Sequence, residues 1–257
     1  MTGFFLKKVF YETWDNILLL AVLNLGYILL LVLLLALPML AAYSPLLSLA
    51  ALCALIFLFF LYTGGVARFG KELLAQTAPS LKEIPAYIRS TWKVSFFFAG
   101  LSSLQILVLL VGFPFYLSIG GLIGLTAASI LFWVSVLWFL ISQWIYPVRL
   151  QLADSIKKVL YKSLLLFFDN PGLSIFLGLY SAVLSMLSVI TFFLIPGPAG
   201  VIFAHQTALQ LLMHKYDYLE ENPSADRRHI PWESLLREER EKVGTRSLRG
   251  LIFPWKE

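Results

Sequence analysis

A single cysteine in 257 residues, Cys53, lies inside an apolar run, so neither a disulfide framework nor a thiolate metal cluster can be built. The three histidines, His205, His214 and His229, have no metal-ligand spacing with one another or with that cysteine. No Gly-rich phosphate loop follows a strand, and neither a G-x-S-x-G nor an H-E-x-x-H pattern occurs. The expectation is a chain that is not an enzyme and holds no metal or cofactor. Charge is scarce too: Asp, Glu, Lys and Arg make up 14% of the residues, where a soluble domain carries about 25%. The net charge of +5 comes without a nucleic-acid motif and suits an anionic lipid surface better than a nucleic acid.

Apolar residues fill the space that charge leaves. They make up 59% of the chain, and the mean hydropathy is +0.81, the composition of an integral membrane protein. Six apolar segments can be read, at 17–37, 46–67, 96–118, 121–146, 172–195 and 199–214. The first five have the ~20 residues that a hydrocarbon core demands, and the sixth is short and carries His205, Gln206 and Gln210. Lys7 and Lys8 resemble the start of a signal peptide. The apolar run after them is about 25 residues, too long for one, so the first span is expected to stay.

Charge placement decides the status of the sixth segment. Every Lys and Arg falls in one of four stretches: Lys7 and Lys8; Arg68 to Lys93; Arg149 to Lys162; and the tail from Lys215 to Lys256. With six spans all four lie on one side, as the positive-inside rule requires, whereas five spans would put the tail on the other. The expected architecture is all-α, with six transmembrane helices as three hairpins (17–67, 96–146 and 172–214) and both termini cytosolic. The outer connections PMLAAYSP, VGFPFYLSIG and IPGP carry no charge. Residues 1–220 then form a membrane domain and 221–257 a cytosolic tail.

The stretch 146–180 organises the rest. It reads as a helix leaving the membrane, an amphipathic helix on the cytosolic surface, and a capped return at Asp169-Asn170-Pro171. Leu152, Ile156, Val159, Leu160, Ser163, Leu164, Phe167 and Phe168 fall on one face at helical spacing. Asp154 and Lys158 are placed for an i,i+4 pair. Residues 3–16 and 80–95 read as the same device, the latter with a Ser80/Glu83 capping box. Trp14, Trp92 and Phe168 recur at near-equal spacing, each before a hairpin whose turn holds proline: Pro38, Pro114, and Pro196 with Pro198. Three parallel copies of a surface helix plus a hairpin are expected. Arg89, Lys93, Lys157, Lys158 and Lys162 are the basic residues expected to face anionic headgroups.

Three further groups of residues are singled out. Gly200, Ala204 and Ala208 form a small-residue stripe that allows close helix packing. Gln105, Gln143, His205, Gln206 and Gln210 are polar at membrane depth and serve either helix packing or a polar path. The tail reads as a helix over 231–243 followed by an aromatic end. There Leu248, Leu251, Ile252, Phe253 and Trp255 either fold back onto lipid or form a docking motif.

YPVRLQLADSIKKVLYKSLLLFFDNPGLSIFL, with WDNILLLAVLNLGYILL, PAYIRSTWKVSFFFAG and PGPAGVIFAHQTALQLLMHKYDYL, resembles the bacterial YesL-like membrane proteins over residues 4–220. The tail from Glu221 departs from the pattern. The resemblance implies a multi-pass protein of the bacterial cytoplasmic membrane, in genetic settings with carbohydrate-uptake ATP-binding-cassette systems, and transfers no catalytic residue. The expected role is an accessory or partner subunit of a membrane transport complex. The alternative is a small hairpin-repeat permease for a neutral polar solute.

Overall fold

The computed structural model describes residues 1–227, 229–244 and 246. The regular structure of these residues is all helical, with no strand among them. Five helical runs are long and apolar enough to cross a membrane: Ile17–Tyr43, Pro45–Leu74, Leu81–Ile119, Gly121–Gln151 and Pro171–Ile190. The chain divides into two compact units, residues 17–206 and residues 1–16 with 207–257.

The larger unit begins with α2 (Ile17–Leu35), α3 (Leu37–Tyr43), α4 (Pro45–Leu74) and α5 (Ile84–Leu107). It continues with α6 (Phe113–Ile119), α7 (Gly121–Ser142), α8 (Ile145–Gln151), α9 (Ile156–Asp169) and α10 (Pro171–Ile190). It ends in the first part of α11 (Gly197–Glu221). Its packed interior gathers at the end of the helices that carries the basic residues. There Leu20, Leu23, Tyr27, Val66, Phe69 and Ala199 form one buried cluster. Toward the other end large apolar side chains stand exposed, among them Leu35, Leu46, Leu110, Leu122, Met186 and Ile190. In a membrane, lipid tails cover such a surface at no hydrophobic cost.

Glycine lets two of these helices approach closely. A Cβ on Gly64 would lie 2.6 Å from Thr91 Oγ1, and one on Gly65 would lie 2.5 Å from Ile88 Cγ1, so α4 and α5 meet almost backbone to side chain. In α11 the expected small-residue stripe is buried at Gly200, Ala204 and Ala208. This helix is not one of the five apolar runs. Phe203, Ala204, Gln206, Thr207, Ala208 and Leu209 are all buried, so protein rather than lipid meets its polar side chains.

Several local expectations change. Residues 84–107 form one continuous helix rather than a surface helix followed by a span. A break does occur at Asn16 and at Asn170-Pro171, but Lys93-Val94-Ser95 contains no residue that opposes helix propagation. Pro38 and Pro114 do not end their helices. Each sits in the first turn of a short continuation, α3 or α6, where a missing N–H costs nothing. The chain reverses beyond them, at Ser44-Pro45 and at Gly120-Gly121, whose positive φ angles of 66° and 60° only glycine adopts freely.

The surface helix in the organising stretch starts at Ile156, not Leu152. Ser155 caps it by accepting from the Lys158 N–H at 3.3 Å. Asp154 therefore lies outside the helix and pairs with Arg149 at 2.8 Å rather than with Lys158. The buried face of α9 is Val159, Ser163, Leu166 and Phe167, while Leu164 and Phe168 are exposed. The capping box at Ser80 reduces to an acceptance from the Lys82 N–H, and Glu83 accepts from the Tyr87 hydroxyl instead. Asn170 makes no side-chain cap at the start of α10.

In the smaller unit α1 (Thr2–Asp15) packs with the tail helix α13 (Arg237–Val243), which follows α12 (Trp232–Leu235). The helix expected over 231–243 is broken at Leu236, whose side chain is fully buried. Burying this leucine turns the chain between two short helices, an outcome that local periodicity does not encode.

Candidate functional site

Polar side chains in the larger unit tie helices together. Asn24, fully buried on α2, donates through Nδ2 to the carbonyls of Leu194 (2.9 Å) and Pro196 (2.8 Å). Its Oδ1 accepts from the Ala199 N–H at 2.9 Å, so one amide satisfies three backbone groups of the α10–α11 connection. Gly197, at φ +60°, passes so close that a Cβ there would lie 2.5 Å from Asn24 Oδ1. Tyr146 donates to the carbonyl of Phe60 at 2.8 Å, and Trp144 donates to Ser174 Oγ at 3.0 Å.

The five residues expected as packing or a polar path are distributed as follows. Gln143 donates to the carbonyls of Leu140 and Ser174 at 2.9 and 2.8 Å. Gln206 accepts from Gln151 Nε2 at 3.0 Å, and His205 is 2.8 Å from Ser181 Oγ. Gln105 Nε2, Gln143 Oε1, Gln206 Nε2 and Gln210 Oε1 are buried without a hydrogen-bond partner among the described residues. Gln210 falls in the part of α11 that belongs to the smaller unit.

Besides an apolar hollow against α3, two concavities open in the larger unit, and none of these five residues lines any of the three. The first, about 310 Å³, is apolar and bounded by α2, α4 and the α10–α11 connection, with Leu30, Leu34, Phe59 and Phe193 on its walls. The second, about 480 Å³, lies between α5 and the α8–α9 junction. It is lined by Trp92, Lys93, Arg149, Asp154 and Ser155 among others. Arg149 also reaches the carbonyl of Ser90 at 3.4 Å.

Of the basic residues expected to face lipid, Arg89, Lys93, Lys157 and Lys158 are exposed. Lys162 is half-buried and donates to the carbonyl of Leu152 at 2.9 Å, capping the end of α8. The tail residues Leu248, Leu251, Ile252, Phe253 and Trp255 lie outside the described residues.

The smaller unit holds an ionic cluster that sequence reasoning missed. Lys8 reaches Glu239 Oε2 at 2.5 Å and Glu12 Oε1 at 2.6 Å, and Lys242 binds the other Glu239 oxygen at 3.0 Å. Lys8 and Glu239 are both buried, at 3% and 4% exposure. Around them Lys7 donates to the Gly244 carbonyl at 3.0 Å, Arg246 pairs with Asp15 at 2.6 Å, and the Arg240 guanidinium lies 5.6 Å from the Phe4 ring centre. Burial pushes the Glu12 carboxyl up from its ordinary 4.5, against the pull of Lys8. Burial also acts upward on Glu239. Hydrogen bonds and charge from Lys8 and Lys242 outweigh it and hold that carboxyl below 4.5. The only signal in the sequence was a lysine on the inner face of an amphipathic helix.

Among the described residues no group of three or more His, Cys, Asp and Glu side chains could hold a metal ion. Comparison of the chain with protein-family models, curated proteins and solved structures finds no match.

Proposed function

We propose that this chain is a six-span protein of a bacterial cytoplasmic membrane, YesL-like, with both termini in the cytosol. It acts as a non-catalytic accessory subunit of a membrane transport complex, carbohydrate uptake being the process the resemblance implies. The observation that carries the accessory reading is what the polar groups at membrane depth do. Gln143, His205 and Gln206, like Asn24 and Tyr146, bond to neighbouring helices, which is the work of a scaffold. The burial of α11 supports the sixth span, because a helix surrounded by protein need not be apolar all round.

The structure also dictates where a truncation should fall. Cutting after Glu221 would remove Glu239 and leave the buried Lys8 with Glu12 alone, so the tail is better shortened after Arg246. Native purification of the full chain beside that truncation, with mass spectrometry of the retained proteins, is expected to show a transporter component bound by the full chain and lost with residues 247–257. A partner-free, monodisperse chain in both samples refutes the accessory role.

The permease reading draws support from the unpaired amide atoms of Gln105, Gln206 and Gln210. Solute uptake by reconstituted vesicles, abolished by Gln206→Leu with Gln210→Leu, would establish it in place of the accessory role.

A further inference from the structure

The groove between α5 and the α8–α9 junction combines features that a diffuse basic surface lacks. Lys93 stands exposed at its rim, 5.9 Å from the Trp92 ring centre, and meets no carboxylate among the described residues. Arg149, only 22% exposed, stands lower in the wall, its guanidinium held by the Ser90 and Ala153 carbonyls and by Asp154. Asp154 is the one anion lining the groove, and its side chain is fully exposed, free to turn away into water. Two cations of different depth, with a displaceable carboxylate, form a cradle for a phosphate.

What leads away from the groove identifies the phosphate's carrier. Along α5, Trp92, Phe96, Gly100 and Leu104 are spaced by four and all exposed, and no side chain approaches Gly100. They form an apolar track from the groove toward membrane depth, a feature that a soluble phosphate would not need. Trp92, at the head of the track, has the amphipathic ring favoured at headgroup level.

We infer that this groove is a specific site for an anionic glycerophospholipid, its phosphate held by Lys93 and Arg149 and an acyl chain laid along Trp92, Phe96, Gly100 and Leu104. The inference rests on the membrane reading above. It goes further by assigning one lipid class to one cleft rather than lipid in general to the basic surface. Basic clefts between transmembrane helices on the cytoplasmic side are a known means of headgroup capture.

The test is native mass spectrometry of the full chain in detergent, with equal amounts of phosphatidylglycerol and phosphatidylcholine. The wild type is expected to retain phosphatidylglycerol selectively. Lys93→Gln should weaken that retention about fivefold, as expected for loss of one cation near the surface. Adding Arg149→Gln should weaken it further, phosphatidylcholine should be unaffected in both, and Lys157→Gln with Lys158→Gln should change little. Lys93 donates no hydrogen bond to another described residue, so its variant tests the site even if Arg149→Gln misfolds. Selectivity that survives Lys93→Gln, or falls equally in the Lys157/Lys158 control, overturns the site. Displacement of the lipid by inorganic phosphate would make it a site for soluble phosphate and also overturn the proposal. A chain that leaves the membrane fraction without detergent would refute the membrane reading itself, an outcome distinct from loss of selectivity.

Discussion

Lys8 places one ammonium between two carboxylates, and burial makes that arrangement strong only while all the partners are present. Lys8→Ala is expected to cost up to about 3–5 kcal/mol, because it leaves the buried Glu239 beside Glu12 with only the exposed Lys242 as counter-charge. Lys8→Met with Glu239→Met should recover most of this loss, and a double-mutant cycle of thermal unfolding in detergent would measure the coupling. The pH dependence follows from the shifts. Glu239, whose carboxyl is lowered on folding, contributes stability above 4.5 that is lost as the pH falls through its folded value. Glu12, raised, runs the other way: its contribution is complete below 4.5 and fades as the pH rises through its folded value. The packing of α1 with α13 should therefore be tightest between the folded values of Glu239 and Glu12. Hydrogen exchange of amides 237–243, corrected for intrinsic rate, should show the acid limb vanish in Glu239→Gln and the other limb flatten in Glu12→Gln.

Helices α4 and α5 show how a pair of elements is specified by what is missing between them. Gly64 faces Thr91 and Ser95, and Gly65 faces Ile88, with no room for a methyl group. Gly64→Ala is expected to push the helices apart at a cost of about 1–3 kcal/mol. Gly100→Ala, with nothing within 4 Å, should be neutral or gain up to about 1 kcal/mol of helix propensity. Melting temperatures of the two variants by fluorescence-detected size exclusion would distinguish close packing from propensity. The amphipathic pattern of 80–95 was legible, but not its fusion to the following span. A stripe of apolar residues looks the same whether its helix stops at Ser95 or runs on to Leu107, and only the absence of a breaker separates the two.

For the molecule as a membrane protein, apolar surface sets the number of spans that composition alone can certify, and five helical runs meet that standard. The sixth depends on orientation, which a labelling experiment can read. In a Cys53→Ser background, cysteines at Tyr43 and Ser118 are expected to react with an impermeant maleimide in intact cells, and cysteines at Thr77 and Asp226 only after lysis. Reaction of the Asp226 cysteine in intact cells would mean five spans and an outward tail. The candidate sites were unevenly legible. Arg89, Lys93, Lys157 and Lys158 were identified as exposed cations from helical periodicity. Arg149 was counted in the basic stretch but not singled out as a site residue, because its place depends on a chain break at 152–155 that turns it beside α5.

Sequence was enough for an all-helical, membrane-compatible chain, because hydropathy, charge placement and proline or asparagine breaks are local quantities that act before any tertiary contact forms. Tertiary structure alone decided that Lys8 meets Glu239 across 231 residues, that Asn24 holds the connection before α11, and that Lys93 shares a cleft with Arg149. Each of these joins side chains far apart in the chain. Such pairings are set by which helix faces pack together, a choice that periodicity leaves open.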